Sequence, residues 1–391
     1  MDRARPQVGT STKNLFIVST FLYWASLYVY VPILPVYTRE LGGSLAMVGL
    51  VVSAYGITQV ILRLPLGVFS DRLGRRKPFI LLGVLAAALG ALGFALSSDP
   101  WMLFLSRALT GVAASSWVAF TVLFSSYFPP GRAVRAMSVV TFVSGSSQLV
   151  ATFAGGQIAQ QFGPLATFYV GLALAGAAFA ISLQVQEEVR PSATPPTWGQ
   201  VWRVITVPLL LLVSLNAVLS QYAAYVTTYA FTPIYAEQLG ASRADQGLLV
   251  TAMLTSWIIS LPLVGVLVER LGERLVVALG MVLAAGAIAA TPFVSTLPAL
   301  LGLQALSGFG RGLGAPVLMG LSVRFLPQQQ RATAMGVFQA VYALGMFAGP
   351  FAGGQIADAL GLDMVFYSTG AVCLLSAALS LLIPKQKGGR G

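Results

Sequence analysis

Apolar runs of about 20 residues recur along the whole chain with only short gaps between them, and this pattern restricts the fold more than any motif does. Crossing a hydrocarbon layer of about 30 Å takes about 20 apolar residues in a helix, and a helix pairs its own backbone groups where no water can. The runs cover approximately 14–38, 45–69, 78–98, 101–127, 137–160, 165–186, 205–236, 246–268, 275–294, 298–324, 334–357 and 364–384. The expectation is an all-α integral membrane protein with twelve transmembrane helices. Composition agrees: 57% of the 391 residues are hydrophobic and only 9% are charged, against roughly 25% in an average soluble domain.

One gap is longer and more polar than the others. From Glu187 to Arg203 the chain carries Glu188, Arg190, Pro191, Pro195 and Pro196, which reads as a linker. It divides the runs six and six. The expected organisation is an N-terminal six-helix bundle over 1–186, a cytoplasmic linker over 187–204 and a C-terminal six-helix bundle over 205–391. Charge sets the orientation, because Lys and Arg accumulate on the cytoplasmic side. With the N-terminus inside, eighteen of the 23 basic residues fall in inside segments; Arg39 and Arg243 alone fall outside, and Arg63, Arg107 and Arg311 lie within apolar runs. Both termini are therefore expected to be cytoplasmic, in a multi-pass protein of the cytoplasmic membrane. The first run is too long for a signal peptide and lacks a small-residue cleavage site.

The chain also repeats itself at an offset of 198 positions. Pro35-Val-Tyr37 with Leu41-Gly42 returns as Pro233-Ile-Tyr235 with Leu239-Gly240. Arg72-Leu73-Gly74 returns as Arg270-Leu271-Gly272, and Ala154-Gly155-Gly156-Gln157-Ile158-Ala159 returns as Ala352-Gly353-Gly354-Gln355-Ile356-Ala357. Two similar halves in parallel orientation imply a pseudo-two-fold axis along the membrane normal, with a cavity where the halves meet.

Between the second and third runs stands Gly67-Val-Phe-Ser-Asp71-Arg72-Leu-Gly74-Arg75-Arg76-Lys77. Here the chain resembles the major facilitator superfamily, whose signature loop reads G-x-x-x-D-R-x-G-R-R/K, and in particular its twelve-span drug exporters. The resemblance implies a secondary active transporter working by alternating access. It also implies that Gly67, Asp71, Arg72, Gly74, Arg75 and Arg76 latch the halves together in the outward-facing state. The competing reading is that these arginines only enforce topology. Arg107-Ala-Leu-Thr-Gly111 resembles the family's R-x-x-x-G motif, which is linked to proton coupling in many members. Gly345, Gly349, Pro350, Gly353 and Gly354 follow the G-x-x-x-G-P-x-x-G-G pattern of the family's antiporters, displaced here from the fifth run to the eleventh. Read physically, glycines four apart allow close helix packing, and the proline permits a bend.

Tyr23 and Tyr28 in the first run and Tyr222 and Tyr225 in the seventh are the aromatic residues expected to wall the cavity; packing against lipid and neighbouring helices is the alternative. Arg107 and Arg311 are expected to be its electropositive part, since an intramembrane charge costs at least ~2.5–3.5 kcal/mol. Arg63, one turn before Gly67, is expected to reach the cytoplasmic surface by extending its side chain.

All twelve acidic residues fall between runs or at their ends, and there is no histidine. A proton carrier at mid-membrane is therefore missing. Coupling has to use an edge acid such as Asp71, Glu40 or Glu237, a proton on the substrate, or a counter-solute. The expected partners are a small-molecule substrate and the lipid bilayer, with no nucleic acid, no metal and no cofactor, for a monomer. Efflux of amphipathic, drug-like compounds is the first functional expectation. An organic-anion carrier using the membrane arginines is the second, and a transport-inactive receptor or scaffold a remote third. The lack of histidine argues against a hydrolase, and no G-x-x-x-x-G-K-S/T loop points to an ATP-driven pump.

Overall fold

A computed structural model describes residues 10–129, 132–187, 199, 203, 205–324 and 326–384. Its helices in the first half are α1 (Thr10–Tyr28), α2 (Leu34–Glu40), α3 (Leu45–Leu73), α4 (Lys77–Leu96), α5 (Pro100–Ser115), α6 (Trp117–Ser126), α7 (Ala133–Phe162) and α8 (Pro164–Gln184). The second half holds α9 (Pro208–Val226), α10 (Thr232–Gln238), α11 (Arg243–Leu271), α12 (Glu273–Ala289), α13 (Leu297–Arg324), α14 (Gln328–Leu360) and α15 (Leu362–Ser380). Most of the expected linker, and the terminal basic residues Arg3, Arg5, Lys385, Lys387 and Arg390, lie outside the described residues.

Against twelve expected spans, ten helices among the described residues are long and apolar enough to cross a membrane. The two remaining runs are α1 and α13. Lys13 and Asn14 make the start of α1 polar, and Gln304, Ser307 and Arg311 interrupt α13. In α13 these three side chains are buried, so the polarity of the run is turned into the protein.

The repeat is visible in how the elements begin and break. Ser44 caps α3 by accepting the amide of Met47, and Ser242, 198 positions later, caps α11 in a capping box with Asp245; each hydroxyl satisfies an amide that the helix itself leaves free. The chain loses α-helical regularity over 29–33, between α1 and α2, and again as a π-helical turn over Thr227–Phe231, between α9 and α10. Pro35 and Pro233 follow these breaks. A proline ring removes one amide donor and crowds the carbonyl four residues back.

The first eight helices pack mainly among themselves, as do the last seven; α3 against α14 and α7 against α11 join the two sets. The α3–α14 seam is antiparallel, with Gly49 facing Pro350 and Gly354, Gly56 facing Phe347, and Arg63 facing Gln339 and Tyr342. It is tight at one end only. A methyl group on Gly49 would lie 2.1 Å from the Pro350 carbonyl oxygen. On the other seam, Gly156 and Gly247 meet backbone to backbone. Toward the opposite end, Gly145 and Gly265 have open space beside them and Gly67 meets only Val118 of its own half. The halves thus pack backbone to backbone where Glu40 and Arg243 form an ion pair of 2.7 Å, and toward Asp71 the contact thins to side chains, with Leu64 beside Gly336.

Candidate functional site: a cavity between the halves

The halves enclose a cavity of about 370 Å³, to which both contribute. Its walls are aromatic and thioether-rich. Trp24, Tyr28, Tyr55 and Trp117 come from the first half, and Tyr225, Tyr229 and Trp257 from the second. Met137, Met253, Met319, Met335 and Met346 fill the spaces between them. Methionine has flexible torsions and a polarisable sulfur, so such a wall accommodates ligands of different outline.

At the tight end the aromatic rings close over the cavity. Tyr28 meets Tyr229 at 6.4 Å edge-on, Tyr225 lies 4.8 Å from Tyr229, and Tyr55 stacks with Tyr225 at 6.0 Å. This group links α1 and α3 to α9 and its π-helical turn, so it spans the halves.

Among the described residues the charged side chains lining the cavity are Arg63 and Arg311, and no carboxylate joins them. Arg311 is 6% exposed, and its Nε and Nη2 have no hydrogen-bond partner. Arg63 does not extend to the surface, as its position near the end of α3 had suggested. It is 4% exposed. Its Nη1 donates to the Gln339 carbonyl at 3.3 Å and to the Tyr342 hydroxyl at 3.2 Å, and its guanidinium lies 5.5 Å from the Tyr342 ring centre. The signal was the stripe Tyr55, Gln59, Arg63, spaced by four on one helix face, which meets Gln339, Tyr342 and Met346 of α14.

Of the expected wall residues, Tyr28 and Tyr225 line the cavity and Tyr23 and Tyr222 do not. Tyr23 is turned into the first half, where its hydroxyl donates to the Ala113 carbonyl and its ring stacks on Phe120 at 4.7 Å. Tyr222 lies in the α9–α14 seam, where Gly345 and Gly349 press against its backbone. Arg107 is likewise buried and off the lining. Its guanidinium sits 4.4 Å from the Tyr55 ring centre, with Nε and Nη1 unpartnered.

The eleventh-run glycines are packing positions. Gly345 and Gly349 receive the α9 backbone, Gly353 meets Val226 and Phe231, and Pro350 and Gly354 face α3. At the looser end, Gly74 terminates α3 in the left-handed conformation (φ +62°), and its amide bonds the Asp71 carbonyl at 3.1 Å; that conformation suits a residue without a Cβ. The Asp71 carboxylate pairs with Arg76, Arg76 also bonds Ser70, and Glu187 accepts the Arg76 and Lys77 amides. Arg72 and Arg75 are exposed. Every one of these loop contacts is made within the first half or to Glu187 at the start of the linker, and none reaches the second half.

Residues 16–235 and 213–390 match the family model described as Major Facilitator Superfamily, and the chain belongs to that superfamily. It is a membrane transporter. It is 28% identical over 380 residues to the multi-drug resistance efflux pump PmrA of Streptococcus pneumoniae, with 93% of each chain covered. It is 29% identical over 162 residues to the quinolone resistance protein NorA of Staphylococcus aureus, covering 41% of this chain and 42% of that one. The crystal structure of a point mutant of the nucleoside transporter NupG superposes with a TM-score of 0.82 at 15% identity, over 96% of this chain and all of that one; at that identity the likeness is one of fold.

Proposed function

We propose that this chain is a secondary exporter of aromatic, amphipathic compounds. Two six-helix bundles, 1–186 and 205–391, joined by the cytoplasmic linker 187–204, make twelve spans with both termini in the cytoplasm. They rock about the cavity to give alternating access. The observation that carries the reading is an aromatic and methionine-lined cavity between the halves, closed at the Glu40 end and bounded near the Asp71 end by Arg63, Met137 and Met335. In the proposed orientation the tightly packed end faces outward, so this is an inward-facing carrier, more loosely packed on the side from which an exporter loads. PmrA and NorA, both named for resistance, support the direction. Asp71, bonded within its own half here, fits a latch that engages the second half only in the outward-facing state.

The test is flux in proteoliposomes under a pH gradient, with an uncharged, a cationic and an anionic aromatic fluorophore. Gradient-dependent movement of one or more supports the exporter reading. Protein-independent movement of all three removes it.

One observation favours a narrower, second reading, transport of organic anions. The lining includes Arg311 with free donors and, elsewhere in the same cavity, Arg63, with no acid among the described lining residues. An incoming carboxylate would satisfy Arg311 in surroundings where a charge-assisted hydrogen bond is strong. A carboxylate ligand and its neutral amide, compared in binding to purified protein, separate the readings: the anion reading requires the carboxylate to bind more tightly.

A further inference from the structure

The α3–α14 seam carries a carboxylate at each end. Because the helices are antiparallel, Asp71 near the C-terminus of α3 stands at the end where α14 begins, and Asp358 near the C-terminus of α14 stands at the end where α3 begins. The second contact is made in this structure. Asp358 Oδ1 accepts the backbone amide of Leu45, the first residue of α3, at 3.0 Å. The other seam has the same contact at the repeat-related positions. Gln160 of α7 accepts, through Oε1, the amide of Arg243, the first residue of α11, at 3.1 Å. Leu45 and Arg243 are 198 residues apart, as are Gln160 and Asp358. Each half therefore reaches across to the first amide of a helix in the other, once through a carboxylate and once through a neutral amide.

We infer that Asp358 is a positioning residue for the transport cycle: it clamps the Glu40 end shut by placing a negative charge on the N-terminus of α3, and Gln160 is its uncharged counterpart. The inference rests on the alternating-access reading and concerns what holds one of its states. A helix N-terminus carries roughly half a positive charge and unpaired amides, so a carboxylate there is favoured over an amide of the same shape. Asp358 is exposed, and breaking its bond leaves no buried charge behind, which suits a contact made and broken in every cycle. The ion pair of Glu40 with Arg243, whose backbone Gln160 holds, lies at this same end.

The experiment reads the state of each end in purified protein. In a Cys373→Ser background, Thr152→Cys reports on the closed seam, where Thr152 is fully buried and 3.3 Å from Thr251, and Ser144→Cys reports on the cavity. The readout is the labelling rate with a water-soluble maleimide. Asp358→Asn should raise labelling at position 152 by about two- to fivefold, the range expected for one exposed charge at a helix end, and lower it at 144. Asp358→Glu should stay near wild type. Gln160→Glu, isosteric and charged, should slow labelling at 152. Unchanged rates in both Asp358→Asn and Gln160→Glu overturn the clamp. If Asp358→Asn loses its thermal transition, Gln160→Glu decides alone, by slower labelling or by none. Gly49→Leu, which forces the seam apart sterically, separates the two ideas. Reciprocal changes at 152 and 144 with Gly49→Leu but not with the charge variants reject the clamp and keep alternating access. Changes that are not reciprocal even with Gly49→Leu reject both.

Discussion

Arg107 and Tyr55 are stacked, with the guanidinium carbon 4.4 Å from the ring centre. The ring lines the cavity and the guanidinium does not. The two membrane arginines that look alike in the sequence therefore have different surroundings, and their substitutions should have different effects. In the anion reading, Arg311→Gln removes most of the preference for a carboxylate ligand over its amide. A hydrogen bond to a charged group is worth about 1.5–3 kcal/mol, so the loss should be about 10- to 100-fold. Arg107→Gln should cost clearly less, because its guanidinium is off the cavity lining and loses only a longer-range Coulomb attraction rather than a direct hydrogen bond. Binding titrations with the matched pair check both, and an equal loss in the two variants would place Arg107 at the ligand.

Tyr23→Phe and Tyr28→Ala make a second pair. Tyr23→Phe leaves the Ala113 carbonyl with one bond fewer in a buried place and should lower stability by about 1 kcal/mol, read as a lower melting temperature, with ligand affinity unchanged. Tyr28→Ala opens the aromatic group at the tight end and should weaken an aromatic ligand several-fold, with a smaller effect on melting than core truncations of about 3–5 kcal/mol produce.

Gly49→Ala should be costly and Gly145→Ala nearly silent. A methyl on Gly49 lands 2.1 Å from the Pro350 carbonyl oxygen, whereas one on Gly145 meets nothing within 4 Å. Forcing an atom into a packed seam costs typically about 1–3 kcal/mol. Thermal unfolding of the two variants, measured side by side, should differ by several degrees; equal midpoints would mean that the seam is looser than the backbone contact implies.

Asp71→Asn should leave affinity close to wild type while slowing turnover, because the Asp71–Arg76 pair lies outside the cavity. Initial flux rates and equilibrium binding on the same preparation separate the two. Normal flux with normal expression would count against any latch role for the loop.

The all-helical membrane fold was legible because lipid selects for long apolar runs, which a linear reading can score, and ten described helices are long and apolar enough to cross a membrane where twelve were expected. The site was legible in part. Tyr28, Tyr225 and Arg311 are placed on the cavity lining, together with Tyr229. Tyr23 and Tyr222 were misplaced because helical spacing tells which residues share a face but not which neighbour that face meets. Ala113 and Phe120 claim Tyr23, and Tyr222 sits where Gly345 and Gly349 of α14 meet the α9 backbone. Arg63 was assigned to the surface from its depth alone. Its true environment depends on Gln339 and Tyr342, 276 and 279 positions away; the stripe Tyr55, Gln59, Arg63 marks the helix face but not the helix that face meets.

Five methionines border the cavity, and thioethers are the apolar side chains most readily oxidised. Sulfoxide formation would turn flexible apolar contacts into polar, chiral ones while leaving the glycine seams and helix ends untouched. On the exporter reading, peroxide treatment would therefore change what the cavity binds while leaving the fold in place, and reductive repair of methionine would reverse the change.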